Sequence, residues 1–385
     1  MCIFLGTNLT MSRGTEVAAL QMAKNVPKDV FELTIVQTDY LPWKPMTNVN
    51  NIQKYLNGVK LITAKSVQKN SRFFRVINKI RYSNKYFAWL LGPVTGTIGR
   101  LYWLRTNRRI VNEINNSDII YIVDNNLIRF IKPQKRSLVI GSTQQKKLDN
   151  RFRFIRLRYR RFDGFHFLTE SMRDAAIIHR RFDFVLPNGV DTKIFKPALK
   201  ANKRPIRILF VSAIEKSKGI TKLFDVWDML QKENLELHIV GRGSMEDFVK
   251  KRIHKNVVYH GALTGKKLAS IYRNCDIFVY PTSGETFGIV AIEALASGNF
   301  VVASDVLYGV FNEFERLGML EYVRNEPQYI KESILKAMNL VRDKNFNKIR
   351  RRAYAIIKQK YDWDRIAKTL FVKLYKSYEE KNGGL

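Results

Sequence analysis

Residues 276–298 read DIFVYPTSGETFGIVAIEALASG, and this stretch decides the fold class. After Asp276, residues 277–280 form an apolar run of Ile, Phe, Val and Tyr, which is typical of a buried strand. A short loop with proline and glycine follows, and apolar positions then recur with a helical period up to Ala296. A strand, a loop and a helix in this order form a βα unit, which predicts a parallel sheet in an α/β fold.

The same alternation of short apolar runs and longer helical stretches extends over the whole chain. The predicted strands are residues 1–8, 31–38, 59–64, 119–124, 137–142, 164–169, 184–187, 206–211, 235–240, 257–260, 276–280 and 300–303. The predicted helices are residues 15–25, 73–80, 98–114, 171–179, 220–231, 266–272, 287–296, 327–341 and 345–360. A basic linker bounded by Pro197 and Pro205 separates two series of such units. We therefore expect two Rossmann-like domains, residues 1–197 and 198–360, facing each other across a cleft.

Length and composition agree with this organisation. The chain has 385 residues, of which 45% are hydrophobic, and this suffices for two globular domains of about 100–200 residues each. Its two cysteines, Cys2 and Cys275, are far apart in sequence, which argues against a disulfide framework and a cysteine-based zinc site. No apolar stretch reaches the length of a membrane span. Residues 1–10 lack the basic start of a signal peptide and are expected to form a strand.

The net charge of +33 is concentrated in the first half of the chain. Between Asp39 and Glu113 there are fourteen Lys and Arg residues and no acidic residue. Residues 151–162 read RFRFIRLRYRRF, so that arginine nearly alternates with aromatic and aliphatic residues. Surfaces of one sign attract polyanions such as nucleic acid, anionic lipid or phosphorylated substrates.

The loops that follow the strands are candidate sites, because ligands of open parallel sheets bind beyond the carboxyl ends of the strands. After strand 206–211, Lys218 and Gly219 stand at a predicted helix start, where backbone N–H groups, the helix dipole and a lysine suit a phosphate. The loop at 241–243, Gly-Arg-Gly, follows the next strand. It allows close approach of a ligand, although a structural turn explains it equally well.

Glu285 and Glu293 are the most informative pair of side chains. Glu285 lies in a loop and Glu293 about two turns into the next helix, so that their separation along the helix is roughly 10 Å at 1.5 Å per residue. This span suits two ends of one ligand, whereas the paired carboxylates of glycoside hydrolases are about 5–9.5 Å apart and face each other. For an isolated pair, the better interpretation is that Glu285 caps the helix and Glu293 lies on a solvated face.

In their order and spacing, these motifs resemble the retaining glycosyltransferases of family 4, which have the GT-B fold of two Rossmann domains. The resemblance extends over nearly the whole chain, and it favours a functional interpretation of the glutamate pair as the family's Glu-x7-Glu signature. Residues 361–385 resemble its C-terminal helix, which packs back on the first domain. The other matching motifs are PNGVDTKIFKP at 187–197, Lys218-Gly219, Gly241-x-Gly243, VVYHG at 257–261 and YDW at 361–363.

The resemblance implies a metal-independent hexosyltransferase that uses a UDP- or GDP-linked sugar as substrate and has no cofactor. Glu285 would hold hydroxyls of the transferred sugar, Lys218 would neutralise the departing diphosphate, and Glu293 would accept a hydrogen bond from the ribose. Further donor contacts are implied for the backbone of Phe287 and Gly288, for Gly14, Lys216, Gly241 and Arg242, and for Gly261 and Leu263 near the nucleobase. Arg13 and Gln144 are expected on the acceptor side.

The sequence departs from the family pattern at three positions. Ala213 stands where the family usually has an arginine, so that Lys216 or Arg242 would have to supply that charge. Gln144 is the polar residue near the position where a histidine is often found, and Gly14 stands where many relatives have two glycines. These departures leave two hypotheses open. The chain is an active transferase, or it is a catalytically weakened protein of the same fold that serves as a binding partner or subunit.

The basic and aromatic segments suggest where the protein acts. On the first domain, residues 40–112 and 151–162 are expected to lie on an anionic membrane, with a lipid-linked or growing glycan as acceptor. The localisation expected from this is cytoplasmic, peripheral on the inner face of the membrane. A solvated helix face is the alternative for these segments. Nucleic acid is not expected as a partner, since no nucleic-acid-binding module is recognisable. The five histidines show no metal-ligand spacing, so no metal site is expected.

Overall fold

The computed structural model of the chain describes residues 2–7, 14–38, 56, 59–64, 101–123, 128, 131–143, 159–198 and 205–383. The chain divides into two compact units. Unit 1 comprises Met1–Leu186 and Ala367–Leu385, and unit 2 comprises Pro187–Ile366. Unit 2 thus begins before the predicted linker and ends inside the last helix, whereas the sequence analysis placed these limits at residues 198 and 360.

Unit 1 contains a parallel sheet whose described strands lie in the order β3-β2-β1-β4-β5-β6-β7. β4 and β5 are buried along their full length, as expected for central strands of a parallel sheet that is covered on both faces. Each strand overlaps one that the sequence predicts. The strands are β1 (Cys2–Thr7), β2 (Leu33–Thr38), β3 (Lys60–Thr63), β4 (Ile119–Ile122), β5 (Leu138–Ser142), β6 (Gly164–Phe167) and β7 (Phe184–Val185).

The core of unit 1 contains aromatic residues that the sequence analysis assigned to a membrane surface. Trp103 and Phe162 are only 1% and 2% exposed, and the Phe162 ring packs 5.0 Å from that of Phe165. For these two residues the membrane expectation is wrong, because their rings fill the space beside the sheet. The described helices of this unit include α1 (Gly14–Lys24), α2 (Arg108–Asn115) and α3 (Glu170–Asp174). The predicted helix at 73–80 lies outside the described residues.

Unit 2 contains a second parallel sheet, with its strands in the order β10-β9-β8-β11-β12-β13. The order reverses between β8 and β11, which are hydrogen-bonded neighbours. Such a reversal is the topological switch point of a Rossmann-like sheet, where ligands bind beyond the carboxyl ends of the strands. The strands are β8 (Ile206–Val211), β9 (Leu235–Val240), β10 (Val257–Tyr259), β11 (Ile277–Tyr280), β12 (Phe300–Ser304) and β13 (Leu320–Val323).

The helices of unit 2 follow the predicted βα order, with two short additions. The additions are the five-residue helices α5 and α8, which the sequence analysis did not predict. A further short helix of the 3-10 type covers Lys216–Lys218. The α-helices are α4 (Ile220–Met229), α5 (Glu246–Lys250), α6 (Gly265–Asn274), α7 (Ile289–Ala296), α8 (Asn312–Arg316), α9 (Pro327–Arg342) and α10 (Phe346–Lys360).

The last helix, α11 (Trp363–Asn382), begins in unit 2 and continues in unit 1. In unit 1 the ring of Phe371 packs 5.2 Å from that of Phe31. Near the end of the helix, Lys381 Nζ donates to Asp163 Oδ2 at 2.7 Å. The helix therefore packs back on the first unit, as the resemblance implies.

Candidate donor site at the carboxyl ends of β8 and β11

Two loops meet at the switch point of unit 2. The backbone N–H of Ser283, in the loop after β11, donates to the carbonyl oxygen of Ser217 at 2.9 Å. Gly219 has a φ of +83°, and a Cβ at this position would lie 2.0 Å from the carbonyl oxygen of Pro281. Only glycine allows this contact, which brings the loop after β8 against the loop after β11.

Lys218 and Glu285 form an ion pair across these loops. Lys218 Nζ donates to Glu285 Oε2 at 2.9 Å and to the carbonyl oxygen of Gly284 at 3.2 Å. The two side chains are 24% and 21% exposed, so the pair lies at the surface of unit 2 and can be reached from solvent. The structure thus brings together the two residues that the sequence analysis singled out as catalytic.

The carboxylate of Glu285 has hydrogen-bond donors on both oxygens. Besides Lys218, the hydroxyl of Tyr280 donates to Oε2 at 2.6 Å, and the backbone N–H of Thr286 donates to Oε1 at 3.1 Å. Burial disfavours the charged carboxylate, but the Lys218 ammonium and these hydrogen bonds outweigh it and hold the pKa of Glu285 below its usual value. Glu285 is therefore ionised at neutral pH.

Glu293 lies on α7 in a different environment. Its Oε2 is 3.1 Å from the hydroxyl of Tyr272, a fully buried residue of α6. Burial raises the pKa of Glu293 to about 8, and the hydrogen bond with Tyr272 opposes this only in part. The helix begins at Ile289, so Glu293 lies about one turn into it, closer to its start than expected. The two glutamates thus differ in charge at pH 7, since Glu285 is ionised and Glu293 is mostly protonated.

Phe287 and Gly288 connect the loop to α7. The Phe287 ring is 1% exposed and packs 5.1 Å from that of Phe311 and 6.4 Å from that of Tyr361. Any contact of Phe287 with a ligand must therefore come from its backbone, as the resemblance implies. Gly288 has a φ of +81° and directly precedes the helix.

Gly241 and Gly243 are required by the packing of their loop against the backbone that follows β8. A Cβ at Gly241 would lie 1.8 Å from the carbonyl oxygen of Ser212, and one at Gly243 would lie 2.4 Å from that of Ile214. The close approach that these glycines permit is to the backbone after β8, which supports the structural turn that the sequence left open. Arg242, between them, is exposed.

The other predicted site residues are placed as follows. Ala213, in the loop after β8, and Lys216, at the start of the 3-10 helix that follows, are both exposed. Gly261 follows β10, and its carbonyl oxygen accepts from the N–H of Gly241 at 2.8 Å, while Leu263 is half-buried. Gly14 is the first residue of α1 in unit 1. Arg13 and Gln144 lie outside the described residues.

Of the histidines, His166 is buried in unit 1, and its Nε2 lies 2.7 Å from the carbonyl oxygen of Leu186. Burial lowers the pKa of His166 to about 4, so it stays neutral and structural. Within the part of the chain that the structure describes, no group of three or more His, Cys, Asp or Glu side chains could hold a metal ion. Likewise, no described helix has the length and apolar character needed to cross a bilayer.

Sequence reasoning missed Tyr280 and Tyr272 as partners of the two glutamates. Tyr280 is the last residue of the predicted strand before the Glu285 loop. Its position at the carboxyl end of a strand, where ligands of parallel sheets bind, was the signal in the sequence that could have identified it. Tyr272 lies on a different helix from Glu293, and no sequence spacing indicates their contact.

Residues 191–355 match the family model of the glycosyl transferases group 1. An uncharacterized glycosyltransferase of Methanocaldococcus jannaschii is 34% identical over 185 residues, which cover 46% of this chain and 46% of that protein. The phosphatidyl-myo-inositol mannosyltransferase of Mycobacterium tuberculosis is 33% identical over 130 residues, or 31% of this chain and 34% of the relative. The chain thus aligns with less than half the length of these curated relatives.

The crystal structure of HepE from Anabaena, in complex with UDP and glucose, is similar to the whole chain. The TM-score is 0.70 at 16% identity, and the alignment covers 97% of this chain and 99% of HepE. At this identity the likeness shows the fold alone. The predicted GT-B fold, with two Rossmann-like units, is confirmed.

Proposed function

Because residues 191–355 match the family model of the glycosyl transferases group 1, we propose that the chain is a retaining glycosyltransferase that moves a hexose from a nucleotide sugar to an acceptor. The observation that carries the proposal is the Lys218–Glu285 ion pair at the switch point of unit 2, with Glu293 on the next helix. The structure of HepE with UDP and glucose supports a nucleotide-sugar donor for this fold.

In the proposed mechanism, Lys218 acts on the leaving group. Negative charge grows on the nucleoside diphosphate as its bond to the sugar breaks, and an ammonium aimed at this charge lowers the barrier. The start of α7, which has no side-chain cap, lies directly after the Glu285 loop and adds a favourable dipole and backbone N–H groups for the diphosphate. Lys218 and these N–H groups would do the neutralisation for which other transferases use a metal ion.

Glu285 would bind hydroxyls of the transferred sugar. It is ionised and its orientation is fixed by donors on both oxygens, so its free lone pairs can accept hydrogen bonds in a defined direction. Retention of the anomeric configuration is part of this proposal and rests on the family resemblance. The acceptor side would include Arg13, Gly14 and Gln144 of unit 1.

Glu293 would contact the ribose, and we expect Glu293→Gln to raise the donor KM about fivefold to tenfold, the size of one hydrogen bond, with little change in kcat. A ribose contact is nearly the same in the ground and transition states, so its loss affects binding.

Because wild-type Glu293 is mostly protonated below pH 8 and ionised above it, the KM ratio of variant to wild type should grow between pH 7 and pH 9. Steady-state kinetics at both pH values test this. A large fall in kcat at unchanged KM would contradict the assignment, and Glu332→Gln, on the exposed face of α9, is the control.

The experiment that tests the function itself is a donor screen. The purified chain is incubated with UDP- and GDP-linked hexoses, and release of the nucleoside diphosphate is followed. We expect turnover with one donor class, together with a rise in melting temperature, since a ligand at 100 times its Kd adds about 2.7 kcal/mol to the free energy of unfolding. Stabilisation without turnover by any donor or acceptor would favour the second hypothesis, a catalytically weakened binding protein, which rests on Ala213 and on the missing histidine near Gln144.

We further propose that the acceptor is lipid-linked or a growing glycan, met at the cytoplasmic face of a membrane on which unit 1 lies peripherally. One of the relatives above is named for a phosphatidyl-myo-inositol acceptor. In the described part of residues 40–112, Leu101 is 63% exposed, and Arg105, Arg108 and Arg109 are exposed beside it. Arg160 and Arg161 are exposed as well, although Arg161 also donates to the carbonyl oxygen of Ile128 and so has a role in the fold.

We expect the chain to sediment with anionic vesicles but not with neutral ones, and binding to weaken as salt rises because charges are screened over about 8–10 Å. Replacing Arg108, Arg109 and Arg160 with Glu should abolish sedimentation, since each basic residue near the surface contributes about 1 kcal/mol.

The matched control is the same change at Arg351, Arg352 and Arg365, which are exposed in unit 2. Equal loss in both triple variants would contradict a membrane face on unit 1. Tight binding of single-stranded RNA without any preference for anionic vesicles would favour nucleic acid as the partner.

A further inference from the structure

Tyr280 has no part in the donor contacts proposed above, yet it is the residue that links β11 to Glu285. Its side chain is 2% exposed, and the ring packs 5.8 Å from that of Phe278 on the same strand. The side chains of Ser212, which follows β8, and Thr282, which follows β11, partly oppose the rise in the pKa of Tyr280, so both lie near its hydroxyl. The hydroxyl is therefore enclosed by groups from both strands of the switch point, and its hydrogen bond to Glu285 sets its direction.

The hydrogen-bond roles at Glu285 Oε2 follow from the chemistry of the groups. An ionised carboxylate only accepts, so Tyr280 must donate its proton to Oε2 at 2.6 Å. Burial and the nearby Glu285 charge raise the pKa of Tyr280 well above its usual value, so that this proton stays on the phenol. Oε2 thus has two hydrogen-bond donors. The Tyr280 hydroxyl is buried and stays in place, whereas the Lys218 side chain is partly exposed and can move away.

The tyrosine and the lysine behave differently when a nucleotide sugar binds, a step that rests on the proposed function. The diphosphate carries more negative charge than Glu285 and attracts the Lys218 ammonium, whose side chain is long, flexible and partly exposed. When Lys218 moves to the diphosphate, Glu285 loses its counter-ion while remaining largely buried. Among the described residues, the groups that then still face its carboxylate are the Tyr280 hydroxyl and the N–H of Thr286.

We propose that Tyr280 is a positioning residue, whose hydroxyl keeps the Glu285 carboxylate ionised and correctly oriented after Lys218 has moved from Glu285 to the leaving diphosphate. Loss of this hydroxyl removes a donor from a carboxylate in a partly desolvated site. The charged form of Glu285 is then less stable and its carboxylate takes up a proton at higher pH than before.

The variant Tyr280→Phe tests this, because it keeps the ring and removes the hydroxyl. We expect kcat to fall about tenfold to hundredfold, the range for one hydrogen bond to a charged group, with a donor KM close to that of wild type. The acidic limb of the kcat profile should move to higher pH. The control is Tyr378→Phe, which removes a hydroxyl that lies 3.4 Å from Asp118 in unit 1 and should leave kcat and the pH profile unchanged.

A second measurement does not depend on turnover. Binding of UDP and GDP at pH 6 is followed by calorimetry in two buffers of different ionisation enthalpy, which gives the protons taken up on binding. Tyr280→Phe should take up more protons than wild type, and this excess should vanish when Glu285→Gln is also present. An excess that persists in the Glu285→Gln background, or none in Tyr280→Phe, would overturn the proposal.

The outcomes separate this proposal from the proposed function. If wild type turns over a nucleotide sugar and Tyr280→Phe matches it in kcat, pH profile and proton uptake, the role of Tyr280 is wrong and the function stands. If wild type neither binds UDP or GDP nor turns over a donor, the function is wrong and the role of Tyr280 fails with it. Melting curves identify a misfolded variant, and in that case Ser212→Ala, which removes a hydroxyl near that of Tyr280, should show the same shift in smaller size.

Discussion

Lys218→Ala should lower kcat about a hundredfold or more, the cost of removing a group that stabilises charge developing in the transition state. We expect this effect because of where the Lys218 ammonium lies. Lys218 ends the 3-10 helix after β8 and lies 2.9 Å from Glu285, at the point where the diphosphate would sit. Kinetics with saturating donor give kcat directly, and a melting curve shows whether the variant is folded.

The matched control is Lys216→Ala, two residues earlier in the same short helix. Lys216 is exposed, so its loss should reduce kcat far less, and any effect should depend on salt as that of a surface charge does. If Lys216→Ala were crippling and Lys218→Ala harmless, Lys216 would be the residue that contacts the phosphate, and the role given to Lys218 would be wrong.

Glu285→Gln should lower kcat by about a hundredfold or more as well, with the donor KM within a few-fold of wild type. The amide keeps the shape of the side chain but loses the charge that Lys218, Tyr280 and Thr286 stabilise. It also turns one acceptor into a donor, so that the contacts of the sugar hydroxyls cannot all be made. Steady-state kinetics over the donor concentration separate kcat from KM.

The comparison variant for this prediction is Glu215→Gln, an exposed residue of the neighbouring loop, which should behave as wild type. Wild-type kinetics in Glu285→Gln would contradict the assignment. A raised KM with unchanged kcat would mean that Glu285 binds the donor without acting on the transition state.

The sheet of unit 2 could be predicted in detail because its inner strands are mostly apolar, with at most two polar residues each. β8 and β9 begin and end at the predicted residues 206–211 and 235–240. β13 was missed, since it has four residues and two of them, Glu321 and Tyr322, are half-buried at the edge of the sheet. Such a short segment shows neither a clear alternation nor an apolar run.

The charges of the site could not be predicted from sequence, because they depend on contacts between distant residues. Lys218 and Glu285 are 67 residues apart in sequence, and their pairing requires β8 and β11 to be neighbours. Burial raises the pKa of Glu293, while the hydrogen bond from Tyr272 on α6 opposes this rise in part, and neither effect can be read from the sequence of α7. The spacing of the two glutamates predicts contact with two ends of one ligand, but it does not predict the opposite shifts of their pKa values.

The packing partner of the aromatic residues in the basic segments could not be predicted from the sequence. An alternation of arginine with aromatic residues is the same whether the aromatic face packs on a membrane or on the protein's own core. Phe162 belongs to the core of unit 1, while Arg160, two residues before it, is exposed. Only the packing distinguishes these two cases.

The central claim is that unit 2 binds the nucleoside diphosphate of an activated sugar at the carboxyl ends of β8 and β11. Hydrogen exchange followed by mass spectrometry on the full chain, with and without UDP or GDP, tests it most directly. We predict slower exchange in peptides that cover residues 212–219 and 281–293, with little change at α9, on which no donor contact is proposed. Binding of either nucleotide with protection elsewhere, and none at these two loops, would contradict the account.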